Sequence, residues 1–290
     1  MRNLSFSRRR ESWPCCKRDG NGCCPRAFKN MLLENKSALI TGSGRGIGSA
    51  IAKLFARHGA SLFLTSRTET QLASVANEIR RSGGRAEFLP ADLELEKDCD
   101  KVVATARASF GRIDILVNNA GHYGPVVPVE EYPLTEFDRV MAVHLRAAFV
   151  LGRLVLPEMY ARKSGVILNI SSLSAKAAYA WGSAYAAAKA GLLGLTRVMA
   201  AEAARQGVRV NAICPGPVTE TEMSKELGKT LAARLGVSPE EQLKGFLSSI
   251  PQGRGQTAME IAQAALFLCC DMSTAVVGQS INVDGGVAFF

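Results

Sequence analysis

The chain has 290 residues, 47% of them hydrophobic, and a formal net charge of +9. That length and apolar content exclude a disordered or fibrous protein and suffice for one large α/β domain. No run of about 18 uncharged apolar residues occurs in the sequence, so no membrane span is expected. The charge is unevenly spread: residues 1–30 hold eight Lys/Arg against two acids, and the remainder holds 27 against 24. The basic character therefore belongs to a tail rather than to a nucleic-acid-binding face.

Residues 1–33 read as a basic, Cys-containing N-terminal extension that is expected to be disordered. Its adjacent pairs Cys15–Cys16 and Cys23–Cys24 fit the C-x₂₋₄-C spacing of metal ligands poorly, and no metal site is expected. It lacks the apolar core of a secretory signal. Its Arg and Ser content is compatible with organelle import, although Trp13, Pro14 and the cysteine pairs do not help that reading. Met31 would itself make a natural start, which makes residues 1–30 a dispensable leader. Arg8–Arg10 is a short cluster with little aromatic company, so no nucleic-acid partner is expected. Cys99, Cys214, Cys269 and Cys270 are scattered, as reduced intracellular thiols acting as small apolar residues would be. A cytoplasmic protein with no membrane partner is the expectation.

From residue 36 onward strand-like and helix-like segments alternate. "SALIT" reads as a strand, and after a glycine-rich turn "GSAIAKLFARHG" has helical periodicity with a C-terminal glycine cap. "ASLFLTS", "AEFLPAD" and "IDILVNNAG" follow as strands, separated by the helices "ETQLASVANEIRRSGG" and "EKDCDKVVATARASFG". "GVILNISS", "VRVNAICPG" and "SINVDGG" read as later strands. Strands with little polar alternation, separated by helices, predict a doubly wound parallel sheet, a Rossmann fold, in a single domain over residues 34–290.

The turn after the first strand is "TGSGRGIG", residues 41–48. Glycines there permit a tight turn and close backbone approach, and the following helix offers its N-terminal amides to a pyrophosphate. The spacing is not G-x-G-x-x-G, because Ile47 occupies the last glycine's place. Where an acidic group would receive the ribose hydroxyls of NAD, the second strand instead ends in Ser66 and Arg67, and Arg45 lies in the glycine turn. An arginine pair suits a 2′-phosphate, so NADP(H) is favoured over NAD(H). Asp92 can accept from an adenine amino group or cap a helix.

One further stretch, "SAYAAAKAGLLG", places the Tyr185 phenol and the Lys189 ammonium four residues apart on one helical face amid alanine. An ammonium beside a phenol would lower its pKa from near ~10 and ready it for proton transfer.

These segments together resemble the short-chain dehydrogenase/reductase family. The resemblance rests on "TGSGRGIG", "NNAG" (118–121), the Ser172-to-Tyr185 spacing, "YAAAK" (185–189), "PG" (215–216) and "VDGG" (283–286). It covers residues 34–290 and is nearest the 3-oxoacyl-(acyl carrier protein) reductase type. The resemblance implies Tyr185 as general acid or base, Lys189 as its electrostatic partner and Ser172 as hydrogen-bond donor to the substrate oxygen. His144 stands where the family usually has an asparagine, and would join the proton relay. For cofactor binding the resemblance implies Thr41, Gly42, Gly44, Arg45, Gly46, Ile47 and Gly48, then Ser66, Arg67, Asp92 and Leu93. It adds Asn119, Ala120, Gly121, Tyr185, Lys189, Pro215, Gly216, Val218 and Thr221, with Thr219 as the alternative to Thr221. Residues 219–250 correspond to a helical lid. His122, Tyr123, Leu173, Ser174, Tyr179, Trp181 and Phe246 would surround the reacting carbon.

The implied activity is NADPH-dependent reduction of a ketone or β-keto (thio)ester. The alternatives are an NAD(P)-dependent dehydrogenase of a sugar, polyol or hydroxyacyl thioester, and a redox sensor without turnover. The helices near 135–160 and 185–205, with the final strand, resemble the family's tetramer faces, so a homotetramer or homodimer is expected.

Overall fold

A computed structural model describes residues 31–289. The two cysteine pairs, the Arg8–Arg10 cluster and the disorder expected of residues 1–30 lie outside the described residues. Leu33 does not belong to an extension: it is 1% exposed, packs in the core, and its amide bonds the His58 carbonyl.

Seven parallel strands run in the order β3-β2-β1-β4-β5-β6-β7. They are β1 (Ser37–Thr41), β2 (Ser61–Ser66), β3 (Arg85–Pro90), β4 (Ile115–Asn118), β5 (Gly165–Ile170), β6 (Val208–Pro215) and β7 (Ser280–Val283). Connections reverse direction between β1 and β4, which opens a crevice at the strands' carboxyl ends, the place where such sheets bind ligands. Helices α1 (Gly46–Arg57), α2 (Glu69–Arg81) and α9 (Ala258–Cys269) flank the sheet, and Ile51, Phe55, Leu72, Ile261 and Leu268 pack with it in one buried cluster. A second cluster joins α3 (Glu96–Phe110), α5 (Ala147–Arg162) and α6 (Ser183–Ala203) to the sheet through Val102, Val155, Met159 and Met199. Strands buried by both clusters need no polar alternation, which is why their sequences read as continuous apolar runs.

Helix α4 (Leu134–Met141) passes into α5 through one turn of π-helix, Ala142–Arg146. Joined, Leu134–Arg162 is long and apolar enough to cross a membrane, which reading uncharged runs in the sequence did not reveal. Half of its most apolar stretch is buried inside the protein, the pattern of a core helix. Helices α7 (Glu222–Leu235) and α8 (Pro239–Ser248) lie between β6 and α9. Cys99, Cys214, Cys269 and Cys270 are buried free thiols, in keeping with their reading as small apolar residues.

Candidate active site

One cleft of about 690 Å³ lies over the carboxyl ends of the strands. Its floor at one end is the glycine turn, and the fold leaves no room there for side chains. A Cβ on Gly42, whose φ is +62°, would lie 2.8 Å from the Ala120 Cα. One on Gly48 would lie 2.3 Å from the Gly42 carbonyl oxygen, so this glycine serves helix-to-strand packing rather than the cleft lining. Helix α1 begins at this turn without a side-chain cap and with no acid in its first turn, leaving its positive end suited to an anion. Gly44, Arg45, Gly46 and Ile47 line the cleft, as do Ser66, Arg67, Asp92 and Leu93.

The Ser66 hydroxyl is buried beside Gly44 and finds no hydrogen-bond partner among the described residues. An orphaned hydroxyl, two flanking arginines and a backbone cradle that a Cβ would fill together fit a phosphorylated dinucleotide. Asp92 spends one carboxylate oxygen accepting from the Glu94 amide at 3.1 Å, while Leu95 stands at the N-cap of α3. Its helix-capping role is therefore replaced by a local turn.

Thr41 is 1% exposed and lies beneath this surface. Its hydroxyl accepts from the Asn119 and Ala120 amides at 2.9 and 3.0 Å, so it fastens the "NNAG" turn instead of touching a ligand. Asn119, Ala120 and Gly121 line the cleft beside it, and Pro215, Gly216 and Val218 close it from β6. Thr221 also faces the cleft; it caps α7, accepting from the Ser224 amide, and donates to the Val218 carbonyl at 2.9 Å. The Thr219 side chain packs on Gly255 instead and is not among the residues lining the cleft.

Ser172 lies two residues beyond the end of β5, and Tyr185 and Lys189 come from the first turns of α6; all three line the cleft. The Ser172 hydroxyl accepts from the Ser174 amide at 3.1 Å and lies close enough to the Tyr185 phenol to favour its ionised form. The neighbouring Ser171 is structural, its hydroxyl donating to the Lys189 carbonyl at 3.0 Å. Lys189 is buried, its Nζ donates to the Ile170 carbonyl at 2.6 Å, and it stands 5.6 Å from the Tyr185 ring centre. Burial pushes the Tyr185 phenol up to about 12 and the Lys189 ammonium down to about 7. Desolvation dominates both groups, and Ser172 is what favours the phenolate.

His144 sits on the π-turn, the irregularity that carries its ring beneath Gly121. Burial holds its pKa well below the usual imidazole range, with the Lys189 charge acting in the same direction. Nε2 lies 2.7 Å from the His122 carbonyl oxygen and 3.2 Å from the His122 amide. One ring nitrogen cannot donate and accept at once, and the shorter contact places the proton on Nε2. Nδ1 is then a bare acceptor, and it has no partner among the described residues, nor has the Asn118 Oδ1. His144, Asn118 and Lys189 together border a small cavity of about 10 Å³, room for one water.

The other end of the cleft is aromatic. His122, Tyr123, Leu173 and Ser174 line it with Tyr179, Trp181 and Phe246, as the sequence suggested. Tyr123 stacks on Tyr185 with ring centres 4.7 Å apart. Sequence reading missed Met223, Leu227 and Leu231, which face the cleft from α7. Their spacing of four residues was the available signal.

A short chain dehydrogenase family model matches residues 36–232. The 3-oxoacyl-[acyl-carrier-protein] reductase of Thermotoga maritima is 35% identical, over 89% of this chain and 99% of that protein. A solved actinorhodin polyketide ketoreductase with NADPH superposes with a TM-score of 0.85 at 32% identity, covering 88% of this chain and 98% of that one. A NAD⁺-bound xylitol dehydrogenase superposes at 0.84 with 29% identity, covering 88% and 99%.

Proposed function

We propose that this chain, which belongs to the short chain dehydrogenase family, is an NADP(H)-dependent reductase of a ketone or β-keto (thio)ester carbonyl. The observation that carries the reading is the convergence of Ser172, Tyr185 and Lys189 on a cleft whose other end is a glycine cradle flanked by Arg45 and Arg67. Gly42, Gly44, Gly46 and the flanking Arg45 and Arg67 would hold a nicotinamide cofactor, which would supply hydride for the carbonyl carbon. Ser172 orients the carbonyl oxygen by hydrogen bonding. Tyr185, fully protonated at neutral pH because burial raises its pKa, gives its proton to that oxygen as the C–O double bond becomes an alcohol.

Lys189, buried beside the Tyr185 ring, is the cation from which the phenolate would regain its proton. His144 stays neutral, and its bare Nδ1 would hold a water in the small cavity beside Lys189. NADP(H) over NAD(H) is supported by the absence of an acid at the end of β2, where Ser66 and Arg67 stand. Helices α7 and α8 form the lid, excluding water from the transfer. Exposed Phe149 on α5 and Val198 on α6 support self-association as a dimer or tetramer.

Cofactor consumption with ketone substrates tests this reading. NADPH should be preferred to NADH, and Arg67→Asp should narrow or reverse that preference. Tyr185→Phe should lower turnover by ~10²–10⁴ while leaving cofactor affinity within a few-fold. Equal turnover by the Phe variant would refute Tyr185 as the acid.

A further inference from the structure

We infer that the substrate is an uncharged ketone carrying a flat ring, reduced free in solution and not as a thioester on an acidic carrier; this rests on the reductase reading above. Two independent features carry it, the lining of the substrate end and the charge around its rim.

The lining is built from rings held in place by the backbone. Tyr123 lies over Tyr185 at 4.7 Å with planes 28° apart, and Gly182 makes this possible, since a Cβ there would stand 2.3 Å from the Tyr123 hydroxyl. Trp181 adopts φ of +66°, a left-handed conformation rare for a bulky side chain, and the Arg234 guanidinium covers its ring at 5.5 Å. Tyr179 and Phe246 complete an aromatic enclosure, and the α7 stripe adds aliphatic carbon. Rings recognise rings through stacking and edge contacts that a flexible acyl chain matches poorly.

The charge argues the same way. Among the described residues, the cations lining the cleft are Arg45 and Arg67 at the glycine end and Lys189 on the floor, and none faces the aromatic end to receive a phosphate or carboxylate. At the rim, α7 and α8 carry four acids against four bases, and Glu130 and Glu131 add negative charge. Arg234 on α7 is occupied by Trp181, by the Val126 carbonyl at 2.7 Å and by Glu131 at 3.8 Å. An acidic carrier needs a complementary basic surface, and this rim does not offer one.

The test compares 2-tetralone with a straight-chain β-keto N-acetylcysteamine thioester of equal carbon number, using NADPH and NADH. The ring ketone should be favoured at least tenfold in kcat/KM, and Trp181→Leu and Tyr123→Leu should each reduce that ratio severalfold. A binding measurement without turnover accompanies it: 2-tetralone should quench tryptophan emission, and Trp181→Phe should abolish the quenching even though Trp13 remains. A straight-chain substrate preferred in the native protein, or a ratio unmoved by both variants, would overturn this inference and leave the reductase reading intact. Absence of carbonyl turnover with either cofactor would overturn the reductase reading and this inference with it.

Discussion

At the scale of single residues, the site is made by burial more than by pairing. Lys189 shows what that costs. Its ammonium titrates near 7 when folded and near 10.5 when unfolded, so between those values the unfolded chain holds a proton that the folded chain lacks. Stability on this account rises with pH across that window and is lost as pH falls from about 10.5 towards 7. Lys189→Met removes the titration. Thermal denaturation should therefore show the variant gaining stability over the native protein most at pH 6 and least near pH 10, although it no longer turns over substrate. A stability difference independent of pH would mean that Lys189 is not desolvated as the structure has it. The sequence placed Tyr185 and Lys189 correctly on one helical face, but it carried no sign of how deeply they are buried. That depth comes from β5, β6 and the "NNAG" turn, whose approach no local pattern records.

At the scale of elements, the glycine turn, the strand ends and the start of α6 were legible because each follows from spacing within a dozen residues. The π-turn at Ala142–Arg146 was not, since the irregularity arises where one helix must both pack on the sheet and bring His144 under Gly121. Helices α7 and α8, the lid we propose, illustrate the same limit: the helices were readable, but the contact that holds them joins distant segments. Arg234 on α7 ties the Trp181 ring, the Val126 carbonyl and Glu131 together, contacts worth ~1–2 kcal/mol in combination at a partly exposed site. Arg234→Met should leave the melting temperature nearly unchanged, hasten amide hydrogen exchange along α7 and α8, and raise KM more than it lowers kcat. Unchanged exchange there would show that the lid is held by its apolar stripe alone.

At the scale of the whole molecule, the alternation of strands and helices was sufficient to predict a doubly wound sheet, because strands buried on both faces are the one arrangement their continuous apolar sequences permit. The start of the packed chain was less legible. "MLLENK" has no periodicity, so nothing local distinguishes Leu33 from the tail before it, yet its side chain lies in the same cluster as Phe55 and Leu62. The boundary is set by tertiary packing and falls before Leu33. A chain beginning at Met31 should therefore match the full-length protein in turnover and melting temperature. A chain beginning at Lys36 loses the Leu33 side chain and the hydrogen bond from its amide to His58, and should be destabilised by about 2–5 kcal/mol, the usual range for deleting a buried leucine. Urea denaturation of the two truncations measures the difference directly. Equal midpoints would mean that Leu33 leaves a gap its neighbours close, whereas loss of stability already at Met31 would assign residues 1–30 a part in the fold.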